Sequence, residues 1–308
     1  MNYFSVKTLL KAQFISVLAL FLMDSGPGNL YGKGNRPIQV VSESPDSVTL
    51  VNAQWSNETL GQGLTLRQYH FDNQELFKSN QYISIIEIEA GKGRQVEIVP
   101  SPVLIGTSVL AQQHNASAAI NGSFFKFNYE HNTIDYNSVD YIRKEGKRLA
   151  PNTYTLSNRS MHQKGAIAIY DGELFILYAD VLKDWERYIQ AHEIITTGPP
   201  LRIDGRDLPL ENSSFYTTRH PRTAIAKMKN GNILFSTVDG RAASSNGMSL
   251  EELQKTLRWL GADYIINLDG GGSTTMYVNG KGVVNHPTDN KLFDNNGERK
   301  VANIIIVK

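Results

Sequence analysis

The 308-residue chain contains no cysteine. That absence excludes disulfides, thiolate catalysis, Cys-ligated zinc and a lipoprotein anchor. Neither sign of charge is in excess. With 31 Lys and Arg against 30 Asp and Glu, the net charge is +1, so nothing electrostatic points to nucleic acid or to an anionic membrane surface. The 7 histidines include no His-x-x-x-His pair, so a zinc site is not expected. No cofactor is required on this reading, although binding of a divalent cation such as calcium stays open. A Walker A motif is missing too, because Gly32-Lys33, Gly91-Lys92, Gly146-Lys147 and Gly280-Lys281 all lack a glycine five residues earlier.

Long apolar runs are scarce. The run Phe14 to Met23 follows Lys7 and Lys11 and gives way to polar, Gly/Pro-rich text. It is too short to span a bilayer and has the layout of a secretory signal. Residues 1–25 are therefore expected to direct export. Residues 26–47 are expected to form a flexible mature leader, and residues 48–308 one folded domain. An exported chain free of cysteine points to a bacterial periplasmic or secreted protein, with no membrane contact after cleavage. No oligomeric state is read from the sequence.

The folded part reads as strands. Val48-Thr49-Leu50-Val51, Tyr82 to Glu89 and Val301 to Val307 are short apolar or alternating runs. Asp171-Gly172, Asp204-Gly205, Asn230-Gly231 and Asn279-Gly280 each separate two such runs, the signature of tight antiparallel turns. A short helix fits between Val103 and Asn115, capped by Thr107 or Ser108. A clearer one begins at Ser249, with Glu252 three residues on, leucines at 250, 253, 257 and 260, and Gly261 as its stop. Residues 126–160 read as a long polar loop, and a loop of that length is more often a lid or binding loop than an idle connection. The expected class is α+β, a mixed or antiparallel sheet core with few helices.

The chemistry concentrates where Ile265-Ile266-Asn267-Leu268 runs into Asp269-Gly270-Gly271-Gly272-Ser273-Thr274. A carboxylate ending a buried strand, followed by bare backbone and hydroxyls, suits a catalytic or anion-binding corner. Three other polar clusters end apolar runs: Asn121-Gly122-Ser123, His220-Pro221-Arg222-Thr223 and Asp239-Gly240-Arg241. Singly, each is also what a turn with a capping acid or a surface arginine looks like. If their strands share a sheet, they supply two carboxylates and two guanidiniums to one rim. Arginine forks match phosphate geometry, and a carboxylate pair is the minimum for cleaving a glycosidic bond. Ser273 is not in a nucleophile elbow, since Thr275 stands where the second glycine belongs.

Together these motifs resemble the phosphodiester glycosidase family. The matching text is Ala119 to Phe125, Thr197-Gly198-Pro199-Pro200-Leu201 with Asp204-Gly205, His220 to Ala226, Val238 to Arg241, the Ser249 helix, and Asn267 to Met276. It extends from about Tyr82 to the C-terminus. Ala226 departs from the glycine common there, and the 126–160 insert has no pattern shared with the family. The resemblance implies hydrolysis of a sugar 1-phosphodiester, of the N-acetylglucosamine-1-phosphodiester kind, with a carbohydrate phosphodiester as the partner. It implies Asp269, Asp239 and Arg222 as catalytic residues. Substrate would be bound by Asn121, Ser123, Arg241, Gly270, Gly271, Gly272, Ser273 and Thr274. A non-catalytic glycan- or phosphoglycan-binding protein of the same fold is the alternative.

Overall fold

The computed structural model describes residues 44–127, 134–152, 159–179, 182 and 184–308. The expected signal and most of the expected leader lie outside the described residues. Among the described residues the strands form three sheets, and every pairing is antiparallel.

The largest sheet runs β1 (Ser56–Gly61), β2 (Leu64–Leu76), β3 (Ser79–Ile88), β14 (Ile233–Val238), β13 (Arg222–Met228), β15 (Ala262–Asn267), β11 (Pro200–Ile203) and β12 (Arg206–Asp207). A second runs β7 (Lys147–Ala150), β6 (Ile142–Lys144), β10 (Glu193–Thr197), β8 (Gly165–Tyr170) and β9 (Glu173–Tyr178). The third runs β17 (Gly282–Val283), β16 (Met276–Val278), β5 (Ala118–Asn121), β18 (Lys300–Val307) and β4 (Val96–Gly106).

One core lies between the three sheets and draws on Ile86, Ile98, Ile120, Ile167, Ile195, Phe235, Ile266 and Ile305. The outer face of the large sheet packs under helices α1 (Pro45–Asn52), α3 (Ser214–Thr217) and α4 (Leu250–Trp259). This layering explains the unbroken apolar runs. Successive strand residues point to opposite faces, and here both faces are covered. In β15 Ile266 enters the central core while Ile265 enters the helical layer, and in β18 Ile305 and its neighbours Ile304 and Ile306 divide the same way.

The sequence expectations meet three corrections. Val48 to Val51 belongs to helix α1, not a strand. Pro45 opens the first turn, where its missing N–H costs nothing, and Leu50 is fully buried while Val48 and Val51 face solvent. The folded body therefore begins at Pro45, inside the expected leader. Helix α2 (Thr107–Gln113) is capped by neither Thr107 nor Ser108. Gly106 precedes it, and Glu298 accepts from the Ser108 N–H at 3.0 Å, an anion at the positive helix end. Finally, part of the 126–160 segment is the β6–β7 hairpin, turning at Glu145 and Gly146, both with positive φ.

The four Asx-Gly turns all join neighbouring antiparallel strands. Helix α4 has the expected capping box, in which Ser249 Oγ accepts from the Glu252 N–H and Glu252 Oε2 accepts from the Ser249 N–H. Its buried Leu250, Leu253 and Leu257 contribute about 1.5–3 kcal/mol each. Helix and Gly261 together return the chain into β15 and aim it at Asp269.

Candidate active site

The four polar clusters meet at one rim. Strand β13 starts where β14 and β15 end, because both neighbours run antiparallel to it. Pro221 sits at the junction. An ideal Cβ on Gly240 would stand 2.8 Å from the Pro221 nitrogen, and one on Gly270 would stand 2.7 Å from the Pro221 oxygen. Side chains at those positions would push the acidic loops apart.

The third sheet is stitched to the same place by Asn121. Its amide donates to the Asp269 carbonyl at 2.7 Å, and its Oδ1 accepts from Thr223 Oγ1 at 2.8 Å and from the Thr275 N–H at 3.1 Å. The Asp269 N–H in turn donates to the Gly122 carbonyl. Asn121 is fully buried, so the structure gives it the job of holding Asp269 in place. Ser123 is likewise buried, donating to the Thr196 carbonyl.

Asp269 leaves the end of β15 half-buried. Burial raises its pKa from 3.8 to about 6, against opposing contributions from the Ser273 hydroxyl, the Arg299 guanidinium and the Gly270 N–H. The three glycines that follow serve different purposes. Gly271 has φ +62°, the left-handed conformation glycine adopts without penalty. Gly270 admits Pro221, and Gly272 lies against Arg299, whose Cζ would be 2.6 Å from an added Cβ. Their amides do not form an open anion nest. Gly271 N–H donates to Pro221, Ser273 N–H to Gly270, Thr274 N–H to Gly271, and Gly270 N–H serves Asp269. Ser273 and Thr274 are buried beneath the turn.

Arg222 sits inside the protein. It is 2% exposed, stacks on Phe215, and donates from Nε to Met248 O and from Nη2 to Phe215 O and Thr218 O. Burial, with Arg241 nearby, lowers its pKa to about 10. These bonds tie the α3 segment and the loop before α4 to β13. Arg222→Met is therefore expected to cost about 2–4 kcal/mol, since three carbonyls lose a charged donor. Urea denaturation reads this directly, and an unchanged midpoint would leave Arg222 with a substrate role only.

Arg241 is arranged differently. It is exposed, holds a left-handed φ of +60°, and lies over Gly271, with Nη2 3.0 Å from that residue's ideal Cβ. Among the described residues it has no carboxylate partner within ion-pair distance. His220 is nearby, its pKa lowered first by burial and then by Arg222 and Arg241. Arg241 thus holds its charge over the turn that carries Asp269, beside a histidine kept neutral.

Asp239 is also buried, and both its oxygens are occupied. Oδ1 accepts from Asn285 Nδ2 at 2.9 Å and from the His286 N–H, while Oδ2 pairs with His286 Nδ1 at 2.7 Å. His286 and Arg299 are the site residues that the sequence reading missed. Arg299 forms a two-pronged pair with Asp289 and lies 5.1 Å over the Phe127 ring. Both stand in the turn-rich text between β17 and β18, where no apolar run marks them. The one available signal was Asn285 to Asp289, a polar stretch directly after a strand.

The described surface also holds a cavity of about 500 Å³ lined by Ser160, Met161, Lys164, Tyr178 and Tyr216 among others. None of the expected site residues lines it. Among the described residues no group of three or more His, Asp or Glu gathers as a metal site. No helix there is long and apolar enough to cross a membrane.

The antiparallel three-sheet scaffold thus carries a burial-raised carboxyl on a glycine corner, with the Arg241 guanidinium over the same turn. The phosphodiester glycosidase family model matches residues 114–308, and the chain belongs to that family. It is 34% identical over 77 residues to the N-acetylglucosamine-1-phosphodiester alpha-N-acetylglucosaminidase of Mus musculus, a match covering 25% of this chain and 14% of that protein. It is 36% identical over 67 residues to the SPbeta prophage-derived uncharacterized protein YomE of Bacillus subtilis, covering 22% and 10%. These matches thus span a small part of either relative.

Among solved structures, the catalytic domain of the zebrafish N-acetylglucosamine-1-phosphodiester alpha-N-acetylglucosaminidase, auto-inhibited by its pro-peptide, aligns with TM-score 0.60 and 19% identity. That alignment covers 82% of this chain and 85% of that one. A hypothetical protein from Synechocystis aligns with TM-score 0.56 and 16% identity, over 83% and 64%. At these identities the likeness concerns the fold.

Proposed function

We propose that the protein hydrolyses the glycosidic bond of a sugar 1-phosphodiester, freeing the sugar and leaving the phosphate on its carrier. On this reading the protein is exported and acts in the periplasm or outside the cell. The observation that carries it is Arg241, an exposed guanidinium without a carboxylate partner among the described residues, held over the glycine turn two residues from Asp269. Charge develops at two places when such a bond breaks: positive on the sugar ring and negative on the departing phosphate. Asp269 stabilises the first and Arg241, with Arg299, the second. A phosphate leaves far more readily than a sugar hydroxyl, so strong acid assistance is not needed. Phe127, under Arg299 at the start of the 126–160 segment, supports that segment shaping the site for the carrier side of the substrate.

Hydrolysis of an N-acetylglucosamine 1-phosphodiester in ¹⁸O-water should place the label on the sugar. Arg241→Ala should raise KM about tenfold or more, the scale of a lost charge-assisted contact. Label on the phosphate would mean P–O cleavage and would end this reading. The alternative, a non-catalytic glycan- or phosphoglycan-binding protein of the same fold, predicts saturable binding with no turnover.

A further inference from the structure

From the His286–Asp239 pair we infer that His286 is the base that takes the proton from the attacking water, and that Asp239 is its positioning residue. The inference rests on the glycosidase reading above. Asp239 accepts from Asn285 Nδ2, from the His286 N–H and from His286 Nδ1, so both its oxygens are already engaged by donors. A carboxylate used this way cannot also approach a water at the ring carbon. It can fix the tautomer of its neighbour. A carboxylate only accepts, so Nδ1 carries the hydrogen and the lone pair of the neutral ring is on Nε2.

The ring is clamped on its other sides. Phe293 stacks on it at 3.9 Å between centroids, nearly parallel, and Tyr82 meets it edge-on at 4.7 Å. Neighbouring Asn285 donates to the Thr274 carbonyl and accepts from the Met276 N–H at 2.7 Å. The imidazole is therefore fastened to the loop after β14 that carries Asp239 and Arg241, and through Asn285 to the turn that follows Asp269. It is partly exposed, and among the described residues Nε2 has no hydrogen-bond partner of its own. The titratable groups around it are Asp239, Tyr82 and Asp294, whose pKa is lowered chiefly by the Asn296 N–H and least by His286.

The reaction balances without any further reagent. The water oxygen bonds the anomeric carbon and the carbon–oxygen bond to phosphate breaks, its electron pair leaving with the phosphate. The water proton goes to Nε2 and then to solvent. Asp269 stays ionised beside the ring throughout.

Two groups must then be unprotonated together, so log kcat/KM of the full chain should climb with a slope near two on its acid limb. His286→Ala should lower kcat by about a hundredfold, within the range of a lost general base, with KM little changed. Its acid limb should fall to slope one, and added imidazole should restore part of the rate. Asp239→Asn should lower kcat similarly and move the His286 Cε1–H resonance in the NMR spectrum. If wild type is active and His286→Ala keeps both its kcat and a slope of two, the role is wrong and the glycosidase reading stands. If wild type turns over no sugar phosphodiester, the glycosidase reading fails and the His286 role falls with it.

Discussion

Asp269→Asn is expected to lose turnover by about a hundredfold or more, the scale of a positioned acid or base, while making the fold more stable above about pH 6. Both effects have one cause. Burial raises the Asp269 pKa from 3.8 to about 6, so the folded protein prefers the neutral form that the reaction cannot use. An acid with a raised folded-state pKa gives its full stability below the unfolded value, here 3.8. It loses that stability as pH rises through about 6, where the folded group finally ionises. The displacement corresponds to at most about 3 kcal/mol. Asparagine removes the charge and keeps the shape. Thermal melts of the two proteins should therefore agree near pH 4 and diverge by several degrees at pH 8. A variant that is inactive yet no more stable at pH 8 would show that burial is not what sets this carboxyl.

Gly272→Ala should reduce kcat/KM by about tenfold to a hundredfold while the protein still folds. The backbone here accepts alanine, since Gly272 is not among the glycines with positive φ. What it lacks is space, because an added Cβ would run into the Arg299–Asp289 pair, with Arg299 Cζ at 2.6 Å. Those atoms end flexible side chains, so they can move aside at small cost to the core. Moving Arg299 is costly for the site. Its charge helps hold the Asp269 pKa down and it is one of two guanidiniums assigned to the phosphate. The acid limb of the pH profile should shift upward together with the loss of rate. A rate loss with an unmoved limb would place Arg299 too far from Asp269 to matter.

The sequence was most informative where local rules and burial agree. The Ser249–Glu252 capping box, the four Asx-Gly turns and the apolar approach to Asp269 are each set by neighbours within a few residues. Clustering of three of the polar stretches at Pro221 was legible as well, because each borders an apolar run and β14, β13 and β15 are neighbours in one sheet, whereas Asn121 reaches the rim from β5 in another sheet through its side-chain bonds. The orientation of side chains at the rim was not. Nothing local distinguishes Arg222, which points inward to three carbonyls, from Arg241, which faces out over Gly271. That choice depends on Phe215, Thr218 and Met248, which surround the buried guanidinium from other elements. His286 was missed for the same reason, since its partner Asp239 is 47 residues away. Helix α1 was misread because four β-branched or aliphatic residues in a row fit either state, and only Pro45 and the burial of Leu50 decide it.

Strand β18 lies between β4 and β5, with Ile305 opposite both Ile98 and Ile120. Both partners precede it by well over 150 residues in the chain, so on a ribosome they emerge with open edges and wait. A sheet closed by such distant pairing has high contact order and folds slowly. Asn121, at the end of β5, cannot be fixed until β18 arrives opposite it at Ile304, and Asp269 hangs from Asn121. The acid corner is therefore among the last features a nascent chain completes.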